Sequence, residues 1–202
     1  SDLGGGNTGG AFNQDFIELV NPTGSAVDLE GWAVQYAAAA GTSYQVTELS
    51  GSIPAGSKYL IGQAFGSDAS QPALPAPDAS GSIAMGGTGG KVALTSTTAA
   101  LSCGNACASL TEVVDLVAWG NGATGFAGSA AAPATSNGTS VSRSAESGNT
   151  ADNGADFTTG TPTPENSGIE PEPEPEPTDE PSPEPSVPAE VTLISAVQGT
   201  GT

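Results

Sequence analysis

The chain has 202 residues and a formal net charge of −19, from 22 acids against three bases. Nonspecific nucleic-acid binding sets Lys and Arg against phosphates, and Lys58, Lys91 and Arg143 are too few for such a patch. Residues 1–168 alone hold 14 of the acids against the same three bases, a net of −11, so removing the tail does not restore a basic face. A length near 200 accommodates one sizeable domain plus a tail. Histidine is absent, which removes the usual general base, the Ser/His/Asp arrangement and most zinc ligand sets. Carboxylates remain, but Glu18, Asp28, Glu30, Glu48, Glu112 and Asp115 are scattered rather than paired across a cleft, as glycoside hydrolysis requires. With 29 Gly, 16 Pro and no long helical periodicity, the expected class is all-β and rich in turns. No stretch approaches the ~20 apolar residues of a membrane span. The start, Ser1-Asp2-Leu3, has neither Met nor a signal peptide's apolar run, and leads to the expectation of a mature or truncated product.

Along the chain, residues 1–14 read as a glycine-rich loop approaching the first strand. A phosphate-cradling loop is excluded, because no Gly-Lys-Ser/Thr end follows. In Asp15-Phe16-Ile17-Glu18-Leu19-Val20, Phe16, Glu18 and Val20 alternate with Ile17 and Leu19, the period of a strand. Asn21-Pro22 ends it, since proline cannot donate to a ladder. After the corner, Asp28 to Val34 reads as a second strand with Trp32 and Val34 on one face. Thr42 to Thr47 alternates again and predicts a hairpin with Trp32–Tyr36 through the alanine run 37–40. Residues 65–81 form a long proline-rich surface excursion, the kind of loop where binding functions sit.

The motif F-I-E-L-x-N-P at 16–22, followed by D-L-x-G-W at 28–32, resembles the opening of lamin tail domains, which are immunoglobulin-like β-sandwiches. Further matches follow in order: Ile53-Pro54-Ala55-Gly56 with Tyr59-Leu60-Ile61, then Gly90 to Leu94, Val113 to Gly120, and Ser140 to Arg143. Asp156-Phe157-Thr158 and the run 161–168 resemble the end of the same domain. The resemblance implies an immunoglobulin-like β-sandwich over 15–168, with Phe16, Ile17, Leu19, Leu29, Trp32, Val34, Leu60, Val92, Leu94, Val114, Leu116 and Trp119 in its core. It implies no catalytic residue and no cofactor.

Cys103 and Cys107 lie in a loop between predicted strands. Two thiolates without His make half a zinc site, and a redox pair has two intervening residues rather than three. A structural disulfide is the preferred reading and suits an oxidising compartment. The segment 149–156 sets Asp152, Asn153 and Asp156 around a glycine, so these three are candidate calcium ligands. The segment lacks the twelfth-position Glu of an EF-hand, and an ordinary turn uses the same residue types. Asn137-Gly138-Thr139 matches the glycosylation sequon.

Residues 169–190 alternate Pro with Glu and predict a disordered, extended spacer, since proline fixes φ and like charges repel. Residues 191–202 begin like a strand and stop. Their I-x-x-V-Q-G-T-G pattern resembles the segment that follows the lamin tail in some large secreted bacterial nucleases of the endonuclease/exonuclease/phosphatase class. The resulting expectation is a noncatalytic interaction and targeting module of a secreted enzyme, a nuclease or phosphoesterase, with a protein or cell-surface partner and no direct grip on nucleic acid. The alternative is a cell-surface protein-binding or adhesion module with no enzyme attached.

Overall fold

Period-2 alternation interrupted by turn residues yields twelve strands and one short α-helix among the described residues, which are 2–5, 9–144 and 148–168 of this computed structural model. The strands are β1 (Asp2–Gly5), β2 (Gln14–Val20), β3 (Val27–Asp28), β4 (Ala33–Ala38), β5 (Gln45–Glu48), β6 (Ser52–Ile53) and β7 (Lys58–Phe65). They continue with β8 (Ala79–Ser80), β9 (Gly90–Thr95), β10 (Val113–Trp119), β11 (Ser140–Arg143) and β12 (Phe157–Gly160), with α1 (Asn153–Asp156) just before the last. A six-stranded sheet has the order β12-β11-β1-β2-β7-β8, and a four-stranded sheet the order β10-β9-β4-β5. A two-stranded ribbon, β3-β6, closes the corner. The predicted hairpin forms, with Val34 opposite Thr47 and Tyr36 opposite Gln45.

The glycine-rich start departs from expectation. Asp2–Gly5 is not loop but a strand inserted between β2 and β11, with Leu3 opposite both Ile17 and Val141. Glycine lacks side-chain signal, so its pairing rests on partners far along the chain.

Inner-face residues of the two sheets make one core: Ile17 and Leu19 from β2, Val34 and Tyr36 from β4, Ile61, Val92, Val117 and Trp119. Fully burying each large apolar side chain contributes about 1.5–3 kcal/mol. Alternation would leave the opposite face of β2 in water, yet Phe16 and Glu18 are buried too. Phe12 packs edge-on against Phe16 at 5.9 Å, and a second layer covers Glu18. Residues 161–168 run as a strap over that face, with Pro162 and Pro164 buried, and the Glu165 N–H donates to Glu18 Oε2 at 2.8 Å. Across the molecule, Ala37, Tyr44, Ala93, Leu101, Cys107 and Leu116 form a separate small core between the four-stranded sheet and the loop that follows β9.

Most of the expected core residues are buried, but Trp32 and Leu94 only partly, packed against the edge of the core. Val114 is a correction: it is 48% exposed, because a bulge between Val113 and Asp115 shifts the register and re-aims the side chain. The quoted motifs have local reasons. Asn21 donates to the carbonyls of Ser25, Ile53 and Pro54 and accepts from Thr23, which fastens the corner to β6. Gly31 sits at φ +78° before Trp32, a conformation that side chains disfavour.

Candidate functional site

The few cations define what the surface offers. Lys58 pairs with Glu18 at 3.3 Å and Glu165 at 3.2 Å; burial pulls its pKa down, but the two carboxylates outweigh that and the net shift is upward. Lys91 is fully buried. Its Nζ donates to Asn105 Oδ1 at 3.5 Å and Thr124 Oγ1 at 3.4 Å, and burial lowers its pKa. Arg143 forks onto both Asp115 oxygens at 2.9 and 2.7 Å, reaches Asp156 Oδ2 at 2.6 Å, and lies 4.4 Å from the Phe157 ring centroid. Lys91 and Arg143 are therefore held inside the domain, and the partly exposed Lys58 is engaged by two carboxylates. The exposed charge left over is acidic, notably Asp28, Glu30 and Glu48.

The candidate calcium ligands serve the fold. Asp152 caps α1 by accepting from the Gly154 and Ala155 N–H groups, and its other oxygen accepts from the Ser129 hydroxyl and N–H, which lower its pKa. Asn153 Oδ1 accepts from the Ala118 N–H at 2.9 Å and the Ala127 N–H at 3.1 Å, while Nδ2 donates to Leu116 O at 2.8 Å. Its amide thus acts as a one-residue extension of the sheet, closing the edge of β10. Burial alone would raise the Asp156 pKa, but Thr150 and then Arg143 outweigh it, so the shift is downward. These oxygens face N–H and O–H donors rather than a common centre. The expected melting temperature is accordingly the same with a chelator as with excess calcium, checked by calorimetry of the purified chain.

Cys103 and Cys107 form a disulfide, in place of the redox or metal alternatives. Cys107 is buried in the small core, and Asn105 within the ring accepts from Thr124 at 2.9 Å. The bridge therefore holds the loop that covers Lys91. A short ring gives stabilisation near the low end of the usual range, about 2 kcal/mol. The Cys103→Ser, Cys107→Ala double variant should melt roughly 4–8 °C lower than the oxidised parent, and reducing agent should shift the parent by a similar amount.

Sequence reasoning missed three buried polar groups. Gln35 donates to Thr95 Oγ1 and Ala99 O and accepts from the Leu101 N–H, holding the loop after β9. Gln63 accepts from Ile83 and exchanges bonds with Thr47. Asp15 accepts from the Met85 N–H at 2.8 Å, and burial, partly countered by that bond, raises its pKa to about 6. The signal was available as polar residues at strand positions whose neighbours are apolar.

The Asp15 shift has a sign. The folded pKa lies above the unfolded value of 3.8, so its contribution is fully present below the unfolded pKa and is lost as pH rises through about 6. Asp15 alone should contribute on the order of 1–2 kcal/mol on acidification from pH ~7 to ~4.5. Asp15→Asn should flatten that slope, read as the pH dependence of the urea midpoint.

No curated protein and no solved structure matches the chain. The family model described as the Lamin Tail Domain matches residues 3–156, well over half of the sequence. That span begins in β1 and ends with α1, and it contains the Asn21 corner, the four-stranded sheet, the six-stranded sheet except β12, and the Asn153 edge plug. The chain belongs to the lamin tail domain family, and its two packed sheets are that family's immunoglobulin-like sandwich.

Proposed function

We propose that this domain is a noncatalytic interaction and targeting module of a secreted bacterial enzyme, an extracellular nuclease or phosphoesterase, joined to it through the acidic proline-rich segment that follows. The observation that carries the reading is the placement of charge. Lys58, Lys91 and Arg143 are each engaged by partners within the domain, while the exposed Asp28, Glu30 and Glu48 stand without a described cation. Such a surface suits a protein or cell-surface partner and repels phosphates. The histidine-free sequence offers no general base of the usual kind, and the shifted carboxylates Asp15, Asp152 and Asp156 hold backbone N–H groups in place. The spacer and the I-x-x-V-Q-G-T-G segment lie outside the described residues and support the reading through sequence alone.

Two observations test it together: the reading frame beyond Thr202, and the purified chain's action on DNA and on a phosphodiester with divalent metal. A metal-dependent phosphoesterase domain downstream and no hydrolysis by the chain are the expected results. An anchor in place of that domain transfers the module to the adhesion reading, and hydrolysis by the chain itself overturns the noncatalytic assignment.

A further inference from the structure

We propose that the outer edge of β5 is a strand-addition site for an extended segment of a partner protein bearing Lys or Arg, an inference that rests on the interaction-module reading. The argument begins with hydrogen-bond alternation. In an antiparallel pair, every second residue exchanges bonds with its partner and the others point away. The Leu49 N–H donates to Trp32 O at 2.9 Å, which marks that pair as bonded. In the same register Val34/Thr47 and Tyr36/Gln45 are bonded pairs. The N–H and C=O of Val46 and Glu48 therefore face outward, and none of these four groups has a partner among the described residues.

The other long edges are guarded in part, although Thr159 on β12 and Val114 on β10 also stand exposed. On β10, Asn153 bonds Ala118 and Leu116, and Ala132 pairs beside it. β8 is two residues long and runs parallel to β7, and the preceding Ala76 and Asp78 are tied to Asn166 and Ser167 of the strap. On β12 the Phe157 N–H is taken by Asn153 O, and Pro162 follows closely. Natural edges are blunted by shortness, charge, proline, bulges or covering segments. β5 is four residues long and bears Glu48, but it has no proline, lysine or bulge, and no described residue bonds its outward groups.

Charge selects the occupant. Glu48 lies on the edge strand itself, and the adjoining corner carries Glu30 and Asp28, linked through the Gly51 N–H to Glu30 and the Glu30 N–H to Asp28. All three acids are exposed. Val46 and Trp32, each partly buried, add apolar contact beside them. Backbone bonds would give affinity to any extended chain, and the acids would favour basic side chains. Self-pairing of two copies would bring domains of net charge −11 together.

The test uses the peptide Lys-Val-Thr-Val-Lys-Val-Thr-Val-Lys as probe and the isotope-labelled chain observed by NMR at low salt. The expected result is chemical-shift change with slowed amide exchange at Val46 and Glu48. Glu30→Gln with Glu48→Gln should weaken binding about fivefold. Val46→Pro removes an outward donor without touching the bonds to β4 and should abolish binding; a probe methylated at alternate backbone nitrogens makes the same test on the unaltered chain and should also fail to bind. Shifts confined to β12 or to residues 65–81, no binding at all, equal binding of a glutamate version of the probe, or dimerisation through β5 would each overturn the proposal. Failure of the module reading itself shows in the hydrolysis assay and not here.

Discussion

Replacing Asn153 by Ala is expected to cost about 3–5 kcal/mol, because it strands two backbone N–H groups and one carbonyl that the side chain satisfies at 2.8–3.1 Å, each worth about 1–3 kcal/mol when buried and unpaired. Single substitutions of that size are exceptional and belong to buried polar networks of this kind. Equilibrium urea unfolding should show the midpoint falling with the slope unchanged. Asn153→Asp keeps the acceptor and loses the donor, setting a carboxylate against Leu116 O, so it should be no better than Ala at neutral pH and should improve as the carboxyl is protonated. A loss below about 1 kcal/mol for Asn153→Ala would show that water replaces the amide, and the edge-plug role would fall.

Arg143→Leu is the second large effect. The guanidinium side chain is 11% exposed and Asp156 is fully buried, so its removal leaves a buried carboxylate with Thr150 as its main remaining partner. Breaking such a pair from one side costs about 3–5 kcal/mol. The pH dependence carries the diagnosis. In the parent, the Asp156 pKa is lowered from 3.8; its contribution is present above that unfolded value and is lost as pH falls through the folded pKa. Without Arg143 the carboxyl is held down less, and the deficit should shrink on acidification. Adding Asp156→Asn to Arg143→Leu should recover part of the loss, giving a coupling energy measurable as a double-mutant cycle.

The sandwich was legible because its inner faces follow a simple alternation: Ile17 with Leu19, Val34 with Trp32, and Val117 with Trp119 in a run of seven. Less legible was anything governed by a second layer. Phe16 and Glu18 alternate as if one face were wet, but the Phe12 ring packs against Phe16 and the strap at 161–168 reaches Glu18. β1 was hidden because glycine carries no pattern and its partners lie 14 and 138 residues away, at Ile17 and Val141. Val114 failed because a bulge changes parity without leaving a mark in residue type. Asp152, Asn153 and Asp156 were recognised as a cluster but not by role. Oxygen-rich side chains around a glycine describe a cation loop and a helix cap equally well, and the difference lies in where the N–H donors of Ala118, Ala127 and Ser129 arrive.

The strap also sets how the domain bears load. Tension applied at Gly168 is taken first by the Ser167–Asp78 and Glu165–Glu18 bonds, which are few and lie on a face, not by the ladder of the six-stranded sheet. Peeling of 161–168 would release about 25 Å of chain before β12 is pulled from β11. Under tension at that end the strap is expected to peel first, leaving the two packed sheets intact.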